Sequence, residues 1–75
     1  MSWNHRVLRN KKYDWVAVHE VYYSPEGKID GYSKNPVTIG ADDIEGIKWQ
    51  LDRIREACDK PIIEVDEDGQ IIGNN

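Results

Sequence analysis

The residues of this 75-residue chain best suited to proton transfer or metal binding are His5, His19 and Glu20. An imidazole titrates near neutrality and binds metals through a free ring nitrogen. His5 and His19 fall in two apolar-alternating runs, Trp3 to Arg9 and Tyr13 to Tyr23, joined by the polar connector Asn10-Lys11-Lys12. In a hairpin of that register both rings lie on one sheet face. No third ligand follows at a recognised spacing, so packed or half-exposed histidines are expected rather than a metal site. Asp66-Glu67-Asp68-Gly69 has the acidic density of a calcium loop. It lacks the third carboxylate, the glycine offset and the distal glutamate, and reads as a solvated turn. Cys58, the single cysteine, continues an apolar helical stripe and has no His-Asp pair arranged with it. It reads as a small core residue. No Walker loop, dinucleotide fingerprint or HExxH stretch occurs. The expectation is a non-enzymatic chain with no catalytic residue, no metal, no cofactor and no evident small-molecule substrate.

The elements that would carry these residues follow from periodicity and turn chemistry. β-Branched and aromatic residues support strands over the two runs above and over a weaker third, Lys28 to Ser33. Ser24-Pro25-Glu26-Gly27 is a strong turn, because proline presets φ and glycine accepts the left-handed position. Residues 3–33 therefore read as a three-stranded antiparallel meander, which Asn35-Pro36 ends. Val37-Thr38-Ile39 reads as a short extended link. Asp42 as N-cap and Glu45 as its capping-box partner open a helix. Ile44, Ile47, Leu51, Ile54 and Cys58 then fall within one stripe about 80° wide, expected to pack on the sheet. Pro61 stops the helix, Ile62-Ile63-Glu64-Val65 returns as a strand, and Gln70-Ile71-Ile72 either pairs back or frays with residues 72–75. The fold class is α+β in the order β-β-β-α-β: a single domain over residues 1–75, with one amphipathic helix on one sheet face.

Strand alternation puts Trp3, His5, Val7, Trp15, Ala17, His19, Val21 and Tyr23 on one face, taken as the core face because it has more aromatic volume and no formal charge. The opposite face then exposes Leu8, Val16, Val18 and Tyr22. One helix covers only one face, so an apolar sheet surface is expected to need a partner. A second candidate surface is centred on Trp49, about 170° from the middle of the helix stripe. Gly46 and Arg53 are its neighbours on the helix surface, with Gly46 opening a shallow recess beside the indole. Three readings stand for Trp49: a partner or dimer interface, cover by the C-terminal tail, or a bare indole with Arg53 stacked on it. The interaction residues expected are Gly46, Trp49, Arg53, Val16, Val18 and Tyr22.

Charge supplies the alternative. The net charge of −4 disfavours a general nucleic-acid binder. Residues 1–12 nevertheless carry Arg6, Arg9, Lys11 and Lys12 with no acid, and these four are the candidates for phosphate contact. The longest apolar run is about four residues, against roughly 20 for a membrane span. Neither a membrane segment nor a signal peptide is expected, and the lone thiol suits a reducing, cytoplasmic compartment. A chain this short has a thin stability margin, and self-association as a homodimer is a route to widen it.

Met1-Ser2-Trp3-Asn4, His19-Glu20-Val21-Tyr22-Tyr23, Asn35-Pro36-Val37 and Lys60-Pro61-Ile62, in this order, resemble a family of short uncharacterised bacterial and phage proteins over nearly the whole chain. That resemblance implies no activity. Three strands followed by a helix opening at Ala41-Asp42-Asp43-Ile44-Glu45 are also similar to the antitoxin domain of HicB type, which implies a nucleic-acid-linked regulator. Protein interaction with self-association is the first expectation and that regulator the second.

Overall fold

A computed structural model of the chain describes residues 2–74. The strands are β1 (Ser2–Asn10), β2 (Trp15–Tyr23), β3 (Ile29–Tyr32), β4 (Ile63–Val65) and β5 (Ile71–Asn74), and α1 spans Ile44–Cys58. They form one sheet in the order β3-β2-β1-β4-β5. Only the β1–β4 pair is parallel. A parallel neighbour requires a crossover, and the long segment carrying α1 supplies it. The expected order therefore stands with one addition, a fifth strand. Residues 72–74, expected to fray, lie in β5, and Asn75 lies outside the described residues.

Two turns share one chemistry. In residues 24–28, Ser24 N–H donates to the Lys28 carbonyl, and Gly27 N–H donates back to the Ser24 carbonyl. In residues 66–70, Asp66 N–H donates to the Gln70 carbonyl and Gly69 N–H to the Asp66 carbonyl. Gly27 and Gly69 both have φ of +83°, a conformation that a Cβ penalises. The acidic stretch 66–69 is thus a hairpin turn. Asp66 Oδ1 accepts from its own turn amides, Asp68 N–H and Gln70 N–H, both at 2.9 Å.

The first hairpin corrects the expected register. Its turn has four residues, 11–14, with Asp14 at φ +56°, and the ladder pairs Asn10 with Trp15. A connector of residues 10–12 would pair Arg9 with Tyr13 and align odd residues with odd. The four-residue turn aligns even residues of β1 with odd residues of β2. His5 is opposite Glu20 and Arg6 is opposite His19, so His5 and His19 point to opposite faces.

One face carries Leu8, Val21, Ile63 and Val65, which are the buried core, with Tyr23, Ile29 and Tyr32 packed against it. No helix covers this face; the sheet closes over it by curling. Tyr32 on edge strand β3 donates its hydroxyl to the Gly69 carbonyl at 2.5 Å, joining that edge to the β4–β5 turn. Arg6 is buried on the same side, donating to Tyr23 Oη at 3.1 Å and to the Pro61 carbonyl at 2.6 Å. Tyr23 in turn donates to Asn4 Oδ1 at 2.7 Å.

α1 packs against β1 from the other side, where Trp3 and His5 project. Its N-cap is Asp43, one residue later than expected, with Oδ1 accepting from Gly46 N–H at 2.9 Å. Ala57 is its one buried residue. Ile47 and Ile54 are half-buried, whereas Ile44 is 66% and Leu51 49% exposed, and Cys58 is exposed as well. The apolar stripe is therefore turned partly away from the sheet, and Cys58 is a surface thiol rather than a core residue. The physical reason lies in the curl: the core completes itself on the opposite face, leaving α1 to seat through its small residue Ala57. Among the described residues, no helix is long and apolar enough to cross a membrane.

Candidate functional site

Trp49 and Trp3, each about half exposed, flank a cleft of about 190 Å³ between α1 and the start of β1. Asn4, His5, Arg53, Glu56 and Lys60 complete its lining. Trp3 meets His5 edge-on at 5.5 Å between centroids. The Arg53 guanidinium lies 5.4 Å from the Trp49 ring centroid, and its Nε is 2.6 Å from a Glu56 carboxylate oxygen. The stack of Arg53 on Trp49 is thus present. Of the tail, residues 71–73 pair with β4 and do not line the cleft beside the indole. Gly46 opens no recess beside Trp49: a Cβ there would be 2.6 Å from Ala41 Cβ, so the preceding loop already fills that space. Val16, Val18 and Tyr22 share the sheet face of Arg9, Val7 and Trp3, the side on which α1 packs against β1; Val16 is exposed there and the other two are half-buried. Tyr22 donates to Glu20 Oε1 at 3.1 Å, and that hydrogen bond, ahead of burial, raises its phenol above the usual range.

The four basic residues of the N-terminal stretch do not form an open phosphate surface. Arg6 is inside the curl. Arg9 and Lys11 both reach Glu64, at 2.5 and 3.1 Å, and Lys12 pairs with Glu67. The hydrogen bonds from Arg9 and then Lys11 hold the Glu64 carboxyl below its ordinary range. The positive charge of residues 1–12 is answered by acids of the C-terminal hairpin, and this pairing ties the two ends of the fold together. Among the described residues no cluster of His, Cys, Asp or Glu is placed to hold a metal ion.

A second recess, of about 400 Å³, went unnoticed in the sequence. Trp15, Ala17 and His19 of β2 line it with Tyr32, Lys34 and Pro36. The signal available was the shared face of Trp15, Ala17 and His19 on one strand. What sequence could not supply was the path of residues 33–37, which run back beside β2. Ser33 N–H donates to the Glu20 carbonyl and Val37 N–H to the Val18 carbonyl.

No family model matches the chain, and no curated protein and no solved structure matches it. Neither sequence resemblance gains support from these comparisons.

Proposed function

We propose that this chain is a non-enzymatic protein-interaction module that self-associates through α1. The observation that carries this reading is the bared half of the helix stripe. Ile44, Ile47, Leu51, Ile54 and Cys58 repeat at intervals of three and four, the spacing of a heptad seam. Two of the five positions are half-buried against the body of the domain, and Ile44, Leu51 and Cys58 face outward. A seam of that spacing fits another of the same spacing, because each side chain enters a gap between four on the facing helix. The occupant argued for is therefore a second copy of this chain. The Trp3–Trp49 cleft lies on the far flank of the same helix and extends the available surface.

The non-enzymatic reading is supported by the separation of His5 and His19 onto opposite sheet faces, which keeps the two imidazoles from acting together on one substrate. The nucleic-acid alternative is weakened by the carboxylate partners of Arg9, Lys11 and Lys12. An exposed unpaired thiol at Cys58 suits a reducing compartment, and we place the protein in the cytoplasm on that ground.

Sedimentation velocity over a dilution series tests the proposal. The wild type should shift from dimer to monomer on dilution through the micromolar range, and Leu51→Asp should be monomeric throughout with unchanged circular dichroism. A wild type that stays monomeric at the highest concentration overturns self-association. A dimer indifferent to Leu51→Asp removes α1 as its seam.

A further inference from the structure

We propose that the recess between β2 and residues 32–36 is a binding site for a small planar aromatic carboxylate. Its walls are rings. Trp15 and His19 stack at 6.2 Å between centroids with 30° between planes, and Tyr32 stands edge-on to His19 at 5.5 Å. Such walls offer both a face and an edge to an incoming ring. Ala17 between Trp15 and His19 leaves the room, and about 400 Å³ lies within the range of small-molecule sites.

The rim is set before a ligand arrives. Residues 33–37 are held to β2 by Ser33 N–H to the Glu20 carbonyl at 2.8 Å and Val37 N–H to the Val18 carbonyl at 2.9 Å. Ser33 Oγ also donates to the Asn35 carbonyl at 2.8 Å. A preformed rim loses little freedom on binding.

Two groups define the ligand's polar ends. His19 Nδ1 is 2.9 Å from the Ser33 carbonyl, which can only accept. The proton of the neutral ring is therefore on Nδ1, and Nε2 is an acceptor for a ligand N–H or O–H. Lys34 is the one cation of the lining, and the lining contains no carboxylate. Lys34 forms no ion pair among the described residues, unlike Arg9, Lys11 and Lys12. A single ammonium suits the one charge of a carboxylate better than a phosphate dianion, which draws several donors. Stacking surface, one acceptor and one cation together describe a bicyclic aromatic acid with a ring N–H.

Indole-3-acetate is the probe, with indole-3-acetamide as its neutral match, followed by ¹H–¹⁵N NMR. The three tryptophans give three indole N–H signals. Indole-3-acetate should move that of Trp15 and leave those of Trp3 and Trp49 in place. Lys34→Gln, an exposed change that spares the fold, should weaken the acetate by about three- to fivefold, the value of one exposed ion pair. The acetamide should bind the wild type weaker by the same factor and ignore Lys34→Gln. The proposal is overturned if the Trp15 signal is unmoved at ~5 mM probe, a concentration that detects even millimolar affinity. It is overturned equally if acetate and acetamide bind alike, or if only Trp3 and Trp49 respond. Adenosine monophosphate binding more tightly at the Trp15 signal, with the same dependence on Lys34, would replace the carboxylate with a nucleotide.

Discussion

Replacing Gly46 by alanine sets two opposing effects against each other, and the structure decides which prevails. Alanine is favoured over glycine inside a helix by about 1 kcal/mol. Against that, the added methyl would lie 2.6 Å from Ala41 Cβ and 3.3 Å from Asp43 Oδ1. Carbon atoms rest at about 3.5–4.0 Å, so the overlap is about 1 Å. Forcing an extra methyl into filled space costs about 1–3 kcal/mol. The loop can yield only by moving Asp43, whose bond to Gly46 N–H caps the helix and is itself worth about 1 kcal/mol. Gly46→Ala should therefore destabilise the protein by about 1 kcal/mol, a shift of roughly 4–8 °C in Tm for a domain of this size. With Ala41→Gly in the background the overlap disappears, and the same substitution should stabilise by about 0.5–1 kcal/mol. Urea denaturation of the four proteins in this cycle gives a coupling of about 2 kcal/mol. A Gly46→Ala variant more stable than wild type by the full ~1 kcal/mol, with coupling near zero, would refute the view that Gly46 exists to let Ala41 approach.

Glu64→Gln should flatten the acid limb of the stability curve. The folded-state pKa of Glu64 is depressed by Arg9 and then Lys11, so its contribution is complete above the ordinary value of 4.5 and is lost as pH falls through the depressed one. Chemical denaturation across pH 3–6 should show a steeper loss in wild type than in the variant; equal slopes would deny Glu64 this role. Tyr32→Phe removes the hydroxyl that joins β3 to the β4–β5 turn. It should cost about 1 kcal/mol and speed amide exchange in residues 66–70 more than elsewhere. Burial first, then Asp66, raises the Tyr32 phenol above its usual range, so this donor keeps its proton and the effect should be constant through neutral pH.

The legible parts of this fold were those written in local chemistry. Pro25-Glu26-Gly27 and Asp68-Gly69 mark turns wherever they occur, and the observed bonds are the ones such residues make. The helix ended where Cys58 and Pro61 indicated. What could not be read was set by small integers and by distant partners. One residue more in the first turn exchanged the faces of β1 relative to β2, and with them the pairing of His5 and His19. The helix stripe is legible from its spacing and does meet the sheet at β1, but that only Ile47 and Ile54 of it are half-buried is not, because nothing local reveals that Leu8, Val21, Ile63 and Val65 enclose themselves by curvature. Of the expected surface, the stack of Arg53 on Trp49 was legible at i and i+4. Trp3 as the other wall of that cleft was not, since it depends on where a helix 46 residues later lies down.

The position of β1 has a consequence for how the molecule comes into being. It is synthesised before the other four strands, yet it is the middle strand of the finished sheet, and its parallel neighbour β4 begins at Ile63. The β1–β2 hairpin can form within microseconds of emerging, since its turn is short. Its other edge must then wait, hydrogen-bonding groups open, for some fifty residues of chain to be made and closed into a loop. During translation the nascent chain therefore presents an unpaired strand edge flanked by Trp3, Val7 and Leu8, the kind of edge that recruits foreign strands. Arg9, Lys11 and Lys12, which later meet Glu64 and Glu67, stand beside that edge as uncompensated charge in the interval. The same cations that lock the ends of the completed fold guard its unfinished half against aggregation.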